Sequence, residues 1–247
     1  KLSDRTKSLM AVNYFGFPQN LSALRRFCDQ HAICFLEDCA HSFFGQHEGR
    51  PFGSFGHYAI ASTAKFFPVN EGGCLVSSHT PLRDIHMRPR GLWVSAKSAF
   101  NTLEEAVRYD RLPLLRPFVG LANHLLRLIP SPSKRRNASS QSDRGLVAGN
   151  LESRIEAFDE NLVNQAVPAV SRLLRRAVPA AAIAERRRQN YIKLYQGLSG
   201  LSGVRPVFDH LPEGVVPYMF PLVVEGLERL FAKLEDQALP MQRFGQF

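Results

Sequence analysis

Lys65, Asp38 and Ser62 are the residues whose types and spacing suggest chemistry. Lys65 lies between Ala64 and Phe66-Phe67-Pro68, an apolar and nearly neutral context. Burial lowers the pKa of an amine because it disfavours the charged form. A neutral lysine amine can form a Schiff base with a carbonyl compound. A lysine on a surface turn fits the same text. Asp38 follows the apolar run 33–36 (ICFL) and Glu37. There an acid can pair with a cationic ring nitrogen or an arginine, or cap a loop. Ser62 stands three residues before Lys65, and with Thr63 it could satisfy two phosphate oxygens.

These residues need a frame. Residues 8–14 (SLMAVNY) form a short apolar run that stops at Gly16 and Pro18, as a buried strand does. Asn20 or Ser22 then opens LSALRRFCDQHA, where Leu21, Leu24, Phe27 and Cys28 recur at helical spacing. The run at 33–36 closes a strand–helix–strand unit, the building block of parallel sheets. Gly45, Gly49, Gly53 and Gly56 mark turns in the text that follows. Residues 58–62 (YAIAS) and 74–78 (CLVSS) read as strands either side of the turn Asn70-Glu71-Gly72-Gly73. Lys65 then sits on an irregular connection within a hairpin-like pair. Asn13, Asp38 and Ser62/Lys65 thus stand at the ends of successive strands, where open α/β sheets bind ligands.

The remainder is less specific. From Pro81 the pattern turns helical, and residues 130–145 are rich in Ser and Arg, like a linker. A further helix is expected from about Glu160, with Pro168 and Pro179 limiting its parts. Residues 180–198 form a strong helix, with Ile183, Arg187, Tyr191, Leu194 and Tyr195 on one side. Strands at 204–208 and 219–224 and a helix at 226–237 complete a small α+β unit.

The chain has 247 residues and a formal charge of +9, confined to its middle: residues 83–205 carry +11, against +1 before and −3 after. A basic stretch suits an anionic ligand, an anionic surface or a solvated helix face. Nucleic acid is disfavoured, since aromatics do not interleave with the basic run. The four cysteines show no zinc spacing, which points to no metal and to a reducing, cytoplasmic setting. The segment 112–136 is apolar with spaced arginines and then Lys134-Arg135-Arg136. It could lie on anionic lipid or pack on a partner subunit. The opening KLSDRTK and closing MQRFGQF read as the ends of a fragment.

One block of text resembles a known family. Glu37-Asp38-Cys39-Ala40-His41, the glycines 45, 49, 53 and 56, Ser62 and Lys65, and the turn Asn70-Glu71-Gly72-Gly73 follow one another in 37–73. In that order they resemble the DegT/DnrJ/StrS group of pyridoxal-phosphate (PLP) aminotransferases. The upstream text and the later RRRQNYIKLYQGLSGLSGVRP and VVPYMFPLVV resemble the family's flanking elements; 95–150 does not, and reads as an insertion. The resemblance implies PLP-transferase fold type I: a mostly parallel large-domain sheet with helices on both faces (1–94 here) and a smaller α+β C-terminal domain (151–247).

The resemblance also implies roles. Lys65 would form the Schiff base with pyridoxal 5'-phosphate and shuttle a proton. Asp38 would keep the pyridine nitrogen protonated. His41 would lie beside the ring near its hydroxyl, Ser62 would bind the phosphate, and Asn13 could reach the ring hydroxyl. The substrates implied are a keto-sugar nucleotide and an amino donor, glutamate, at a site shared across a homodimer. Related dehydratases carry His in place of the lysine, so Lys65 argues for transamination. The chain departs from the pattern in placing Ile60 five residues before the lysine and in lacking the family's first quarter. No G-x-N-x-R segment stands near residues 161–172. A non-catalytic remnant of the fold is the competing reading.

Overall fold

The computed structural model of the chain describes residues 2–128 and 163–244, except 79, 109, 238 and 240. Two compact units emerge, Lys1–Thr102 with Asn164–Val223, and Leu103–Val163 with Val224–Phe247.

The first unit is built on a four-stranded sheet. The chain enters it through β1 (Ser8–Val12), crosses by α1 (Leu21–Gln30) and returns in β2 (Cys34–Asp38). Two short strands, β3 (Gln46–His47) and β4 (Arg50–Pro51), form a separate hairpin in the glycine-rich stretch. β5 (Tyr58–Ser62) and β6 (Gly73–Val76) complete the sheet in the order β1-β2-β5-β6. β1, β2 and β5 are parallel, and β6 is antiparallel to β5. The fold is therefore α/β with a mixed, mostly parallel sheet.

α1 starts where Asn20 accepts a hydrogen bond from the Ala23 N–H at 3.2 Å, satisfying one of the helix's free amides. Its apolar side carries Leu21 and Cys28, which pack with Ala11, Ile33, Phe35 and Phe55. Each fully buried Leu or Phe contributes about 1.5–3 kcal/mol, so this layer fixes which face of the sheet is the core. The opposite face presents Met10, Ile60 and Leu75, each about half exposed. A cleft lined by Cys28, Asp29, Ile33, Cys34 and His57 lies at the amino ends of β2 and β5, away from Lys65.

Several boundaries differ from the sequence expectation. β1 ends at Val12, because the chain turns at once through a 3-10 turn, Tyr14–Gly16. β2 extends through Glu37 and Asp38, so both acids are strand residues. Residues 81–91 are not helical, and Pro81 and Pro89 explain why. α2 (Leu92–Arg108) begins after them and straddles the division between units. α3 (Arg116–Leu128) follows. Of the helix parts expected from about Glu160, the described residues hold α4 (Ala169–Ala177), entered from Pro168; α5 (Ala180–Leu198), entered from Pro179, coincides with the helix expected at 180–198. The expected strands at 204–208 and 219–224 shorten to β7 (Val204–Pro206) and β8 (Leu222–Val224), which pair.

In the second unit, Val107 and Val119 are buried, and Asn123 Nδ2 donates to Glu104 Oε1 at 2.7 Å. Leu114, Phe118 and Leu121, at i, i+4 and i+7, point outward, with Leu114 86% and Phe118 69% exposed. α6 (Leu227–Asp236) is tied to Arg243 through Glu228. The expected linker at 130–145 and Lys134-Arg135-Arg136 lie outside the described residues. No described helix is long and apolar enough to cross a membrane.

Candidate active site

Side chains alternate along a strand, so adjacent Glu37 and Asp38 face opposite sides of the sheet. Glu37 is 1% exposed and is the most heavily bonded acid in the unit. Its Oε1 accepts from the Gly53 N–H at 2.9 Å, Asn13 Nδ2 at 3.2 Å and the Cys39 thiol at 3.4 Å. Its Oε2 accepts from the amides of Phe55 and Gly56 at 3.2 and 3.3 Å. These bonds fasten the glycine-rich stretch to the end of β2. Burial and the Glu37 charge push the Cys39 thiol far up, so it stays protonated.

Asp38, on the other face, is half-buried. One carboxylate oxygen accepts from the Ala40 N–H at 2.8 Å, an Asx turn that aims the group and leaves the second oxygen available. Asn13 is fully buried at the end of β1. Both ends of its amide are used within the protein, since Oδ1 accepts from the Gln19 N–H at 3.3 Å while Nδ2 serves Glu37.

Lys65 sits in a single helical turn between β5 and β6. The Thr63 carbonyl accepts from the amides of Phe66 and Phe67 at 3.1 and 2.9 Å. Thr63 is buried and bonds back to Gly72, whose φ of +122° and closeness to the Thr63 hydroxyl exclude a larger residue. Phe66, Phe67 and Val69 anchor the turn against Phe43 and Phe44 of the stretch after His41. Burial lowers the Lys65 pKa, and the Asp38 charge partly opposes the shift. Ser62, half-buried, closes β5 opposite Gly73.

His41 lies 4.7 Å from the Tyr218 ring, stacked at 22°. Its Nδ1 accepts from the Phe15 N–H at 3.4 Å, so the ring proton resides on Nε2. Burial, with Lys65 nearby, pushes its pKa down to about 4 against the pull of Asp38, and the imidazole is neutral at pH 7. Phe15 is held at φ +60° between two partners, its carbonyl accepting from the Tyr218 N–H at 2.7 Å. Gly16 permits this crossing: a Cβ there would meet the Val216 carbonyl at 2.6 Å.

Tyr218 and Arg187 enter the site without any signal in the sequence spacing. Arg187 was legible only as one member of a helix face. Its Nη2 donates to the Lys65 carbonyl at 2.9 Å and its Nη1 to the Tyr218 carbonyl at 3.0 Å. Lys65 Nζ stands 5.7 Å from the Tyr218 ring centre. Burial raises the Tyr218 pKa, although Arg187 opposes it, and the phenol keeps its proton. Glu37 was likewise overlooked as the node beneath Asp38. Lys65, Asp38, His41 and Tyr218 therefore gather at the carboxyl ends of β2 and β5. Among the described residues no group of His, Cys, Asp and Glu is placed to hold a metal ion.

This donor set suits a phosphorylated pyridine aldehyde: an amine biased towards neutrality, a carboxylate with one free oxygen, and a neutral imidazole with an N–H to donate.

Residues 1–102 match the DegT/DnrJ/EryC1/StrS aminotransferase family. The chain is 33% identical over 128 residues to GDP-perosamine synthase of Vibrio cholerae, covering 49% of this chain and 34% of that one. It is 25% identical over 147 residues to the UDP-4-amino-4,6-dideoxy-N-acetyl-beta-L-altrosamine transaminase of Helicobacter pylori, covering 58% and 39%. In fold, it resembles the aminotransferase TlmJ from Streptoalloteichus hindustanus with a TM-score of 0.54 at 18% identity, over 96% of this chain and 51% of that one. The matches span about a third of the length of these two curated relatives. Through residues 1–102, the chain is similar to the DegT/DnrJ/EryC1/StrS aminotransferase family.

Proposed function

We propose that this chain carries the Lys65 side of the active site of a pyridoxal-phosphate-dependent aminotransferase. The reaction moves an amino group from an amino acid, glutamate, to a keto-sugar nucleotide, within a cytoplasmic homodimer. The supporting observation is the placement of Lys65, lowered in pKa, at the strand ends with Asp38 and neutral His41. The sugar-nucleotide substrate is drawn from the relatives' names, which include GDP- and UDP-sugar enzymes.

When bound, pyridoxal phosphate supplies a protonated ring that withdraws electrons from the reacting carbon. Asp38 would hold that ring proton with its second carboxylate oxygen. Lys65 Nζ would attach the group, and would take and return a proton at the substrate carbon. His41 would offer its Nε2 proton to the ring hydroxyl. Ser62 and the neighbouring turn would hold the phosphate. Asn13 enters as a brace of Glu37, because both ends of its amide are already engaged.

The test is addition of pyridoxal phosphate, a visible spectrum, borohydride reduction and peptide mapping. We expect a visible band and a pyridoxyl mass on the Lys65 peptide, both lost in Lys65→Ala. Label on another lysine with Lys65 unmodified overturns the assignment. Absence of a band both here and in an N-terminally extended chain supports the fold-remnant reading. The outward stripe of Leu114, Phe118 and Leu121 favours a second, peripheral role on anionic lipid. Co-sedimentation with anionic vesicles, lost at high salt, is its expected outcome; equal recovery without vesicles rules it out.

A further inference from the structure

We propose that Arg187 and Tyr218 act as a positioning pair for Lys65. Arg187 clamps the Lys65 turn to the segment bearing Tyr218, and the Tyr218 ring shields Lys65 Nζ from water. The proposal rests on Lys65 being the reactive amine, and it names residues that neither touch the substrate nor carry charge to it.

Residue 187 lies 122 positions from Lys65 in sequence, yet its two terminal nitrogens bond the main-chain carbonyls of residues 65 and 218. The guanidinium also stacks over two rings, 4.7 Å from the centre of Phe66 and 5.5 Å from that of Tyr218. Two carbonyls at a fixed separation, flanked by aromatic faces, match a planar fork and not a single ammonium. α5 therefore sets the distance between the Lys65 turn and the Tyr218 segment. Without that clamp, the turn is held by Phe66 and Phe67 packing and by Thr63 alone.

The Tyr218 ring faces Lys65 Nζ, His41 and Arg187 together. A ring can act on an ammonium in two opposing ways. It attracts the cation, and it occupies space that water would otherwise fill. At 5.7 Å the ammonium is at the outer limit of cation–π attraction, so exclusion of water wins. The charged and titratable groups around Nζ are Asp38 at the end of β2, His41 after it, Tyr218, and Arg187 of α5. Asp38 favours the protonated amine, and His41 is neutral at pH 7. Burial is the largest influence lowering the amine, and the Tyr218 ring is part of what covers it.

The experiment needs no cofactor. The full chain is labelled with trace acetic anhydride from pH 6 to 11, and each lysine peptide is quantified by mass, with exposed Lys193 as the internal standard. The midpoint of labelling reports pKa independently of absolute accessibility. In the parent chain Lys65 should label at a lower midpoint than Lys193. Arg187→Met and Tyr218→Ala should each raise the Lys65 midpoint by about one pH unit, a tenfold loss of neutral amine at pH 7. Arg187→Lys should fall between, and Tyr218→Phe should behave as the parent, since the ring and not the hydroxyl does the shielding. Circular dichroism confirms that each variant is folded, and the Tyr218 series decides the matter if Arg187→Met is not. An unchanged midpoint in folded Arg187→Met, or a shift in Tyr218→Phe equal to that in Tyr218→Ala, overturns the proposal. Pyridoxal-phosphate trapping remains a separate readout, so failure of either idea is distinguishable from failure of the other.

Discussion

Glu37→Gln is the most informative single change, because it alters one atom and leaves the volume intact. Five donors converge on the two Glu37 oxygens, three of them backbone amides. A glutamine presents one oxygen and one NH2. If the NH2 replaces Oε2, it faces the amides of Phe55 and Gly56, and both lose their acceptor. If it replaces Oε1, the Gly53 amide loses its acceptor. Asn13 can then relieve its own clash by flipping, which strands the Gln19 amide. Either way at least one buried amide is orphaned and the remaining bonds lose their charge, which together cost about 2–4 kcal/mol. For a chain of this size that lowers the melting midpoint by roughly 5–15 °C. Asp38→Asn is the internal control. Its remaining oxygen still accepts from Ala40, so its midpoint should stay within about 3 °C of the parent, while the Lys65 label from pyridoxal phosphate falls. Far-ultraviolet circular dichroism on heating at pH 7 reads both. A Glu37→Gln midpoint equal to the parent, or an Asp38→Asn loss as large as that of Glu37→Gln, refutes the division of labour between the two acids.

Other consequences are equally open to measurement. His41 has a folded pKa of about 4 and an unfolded value near 6.5, so the unfolded chain binds the extra proton between them. Stability should therefore fall as pH drops from about 6.5 to about 4, and His41→Gln should flatten that part of the denaturation profile. Gly16→Ala forces a side chain to φ +96° and towards the Val216 carbonyl; a loss of at least about 2 kcal/mol in urea titration is expected. The buried Tyr191 hydroxyl has no hydrogen-bond partner among the described residues. Tyr191→Phe should leave the melting midpoint unchanged or raise it by a few degrees, and a clear drop would reveal a hidden partner.

The order strand–helix–strand and the location of Lys65 between two strands were legible because local rules govern them. Asn20 caps α1 as a helix start should, and the apolar spacing from Leu21 to Cys28 names the buried side. The end of β1 was misplaced because Asn13 and Tyr14 read as a continuation of an apolar run. What stops the strand is a turn locked from elsewhere, by His41 and the segment at Val216–Tyr218. The motif at 37–41 pointed to Asp38 and His41, but it did not say that Glu37 would be the better-bonded acid. That follows from three amides 16 to 19 residues downstream. Tyr218 and Arg187 were out of reach for the same reason. The partners of Arg187 are main-chain carbonyls, which have no residue identity to read, and Tyr218 meets Lys65 and His41 through its ring from far along the chain.

Because Glu37 and Asp38 occupy consecutive positions of one strand, their destinations depend on the parity of the chain before them. A single-residue deletion between Cys34 and Glu37 would exchange the two acids between faces. The acid that belongs under the glycine stretch would be delivered to the chemical side, and its neighbour would be driven into the core. Point substitutions can be absorbed one at a time, but an odd-numbered change of length here cannot. This stretch should accordingly drift in spelling during evolution while keeping a constant count.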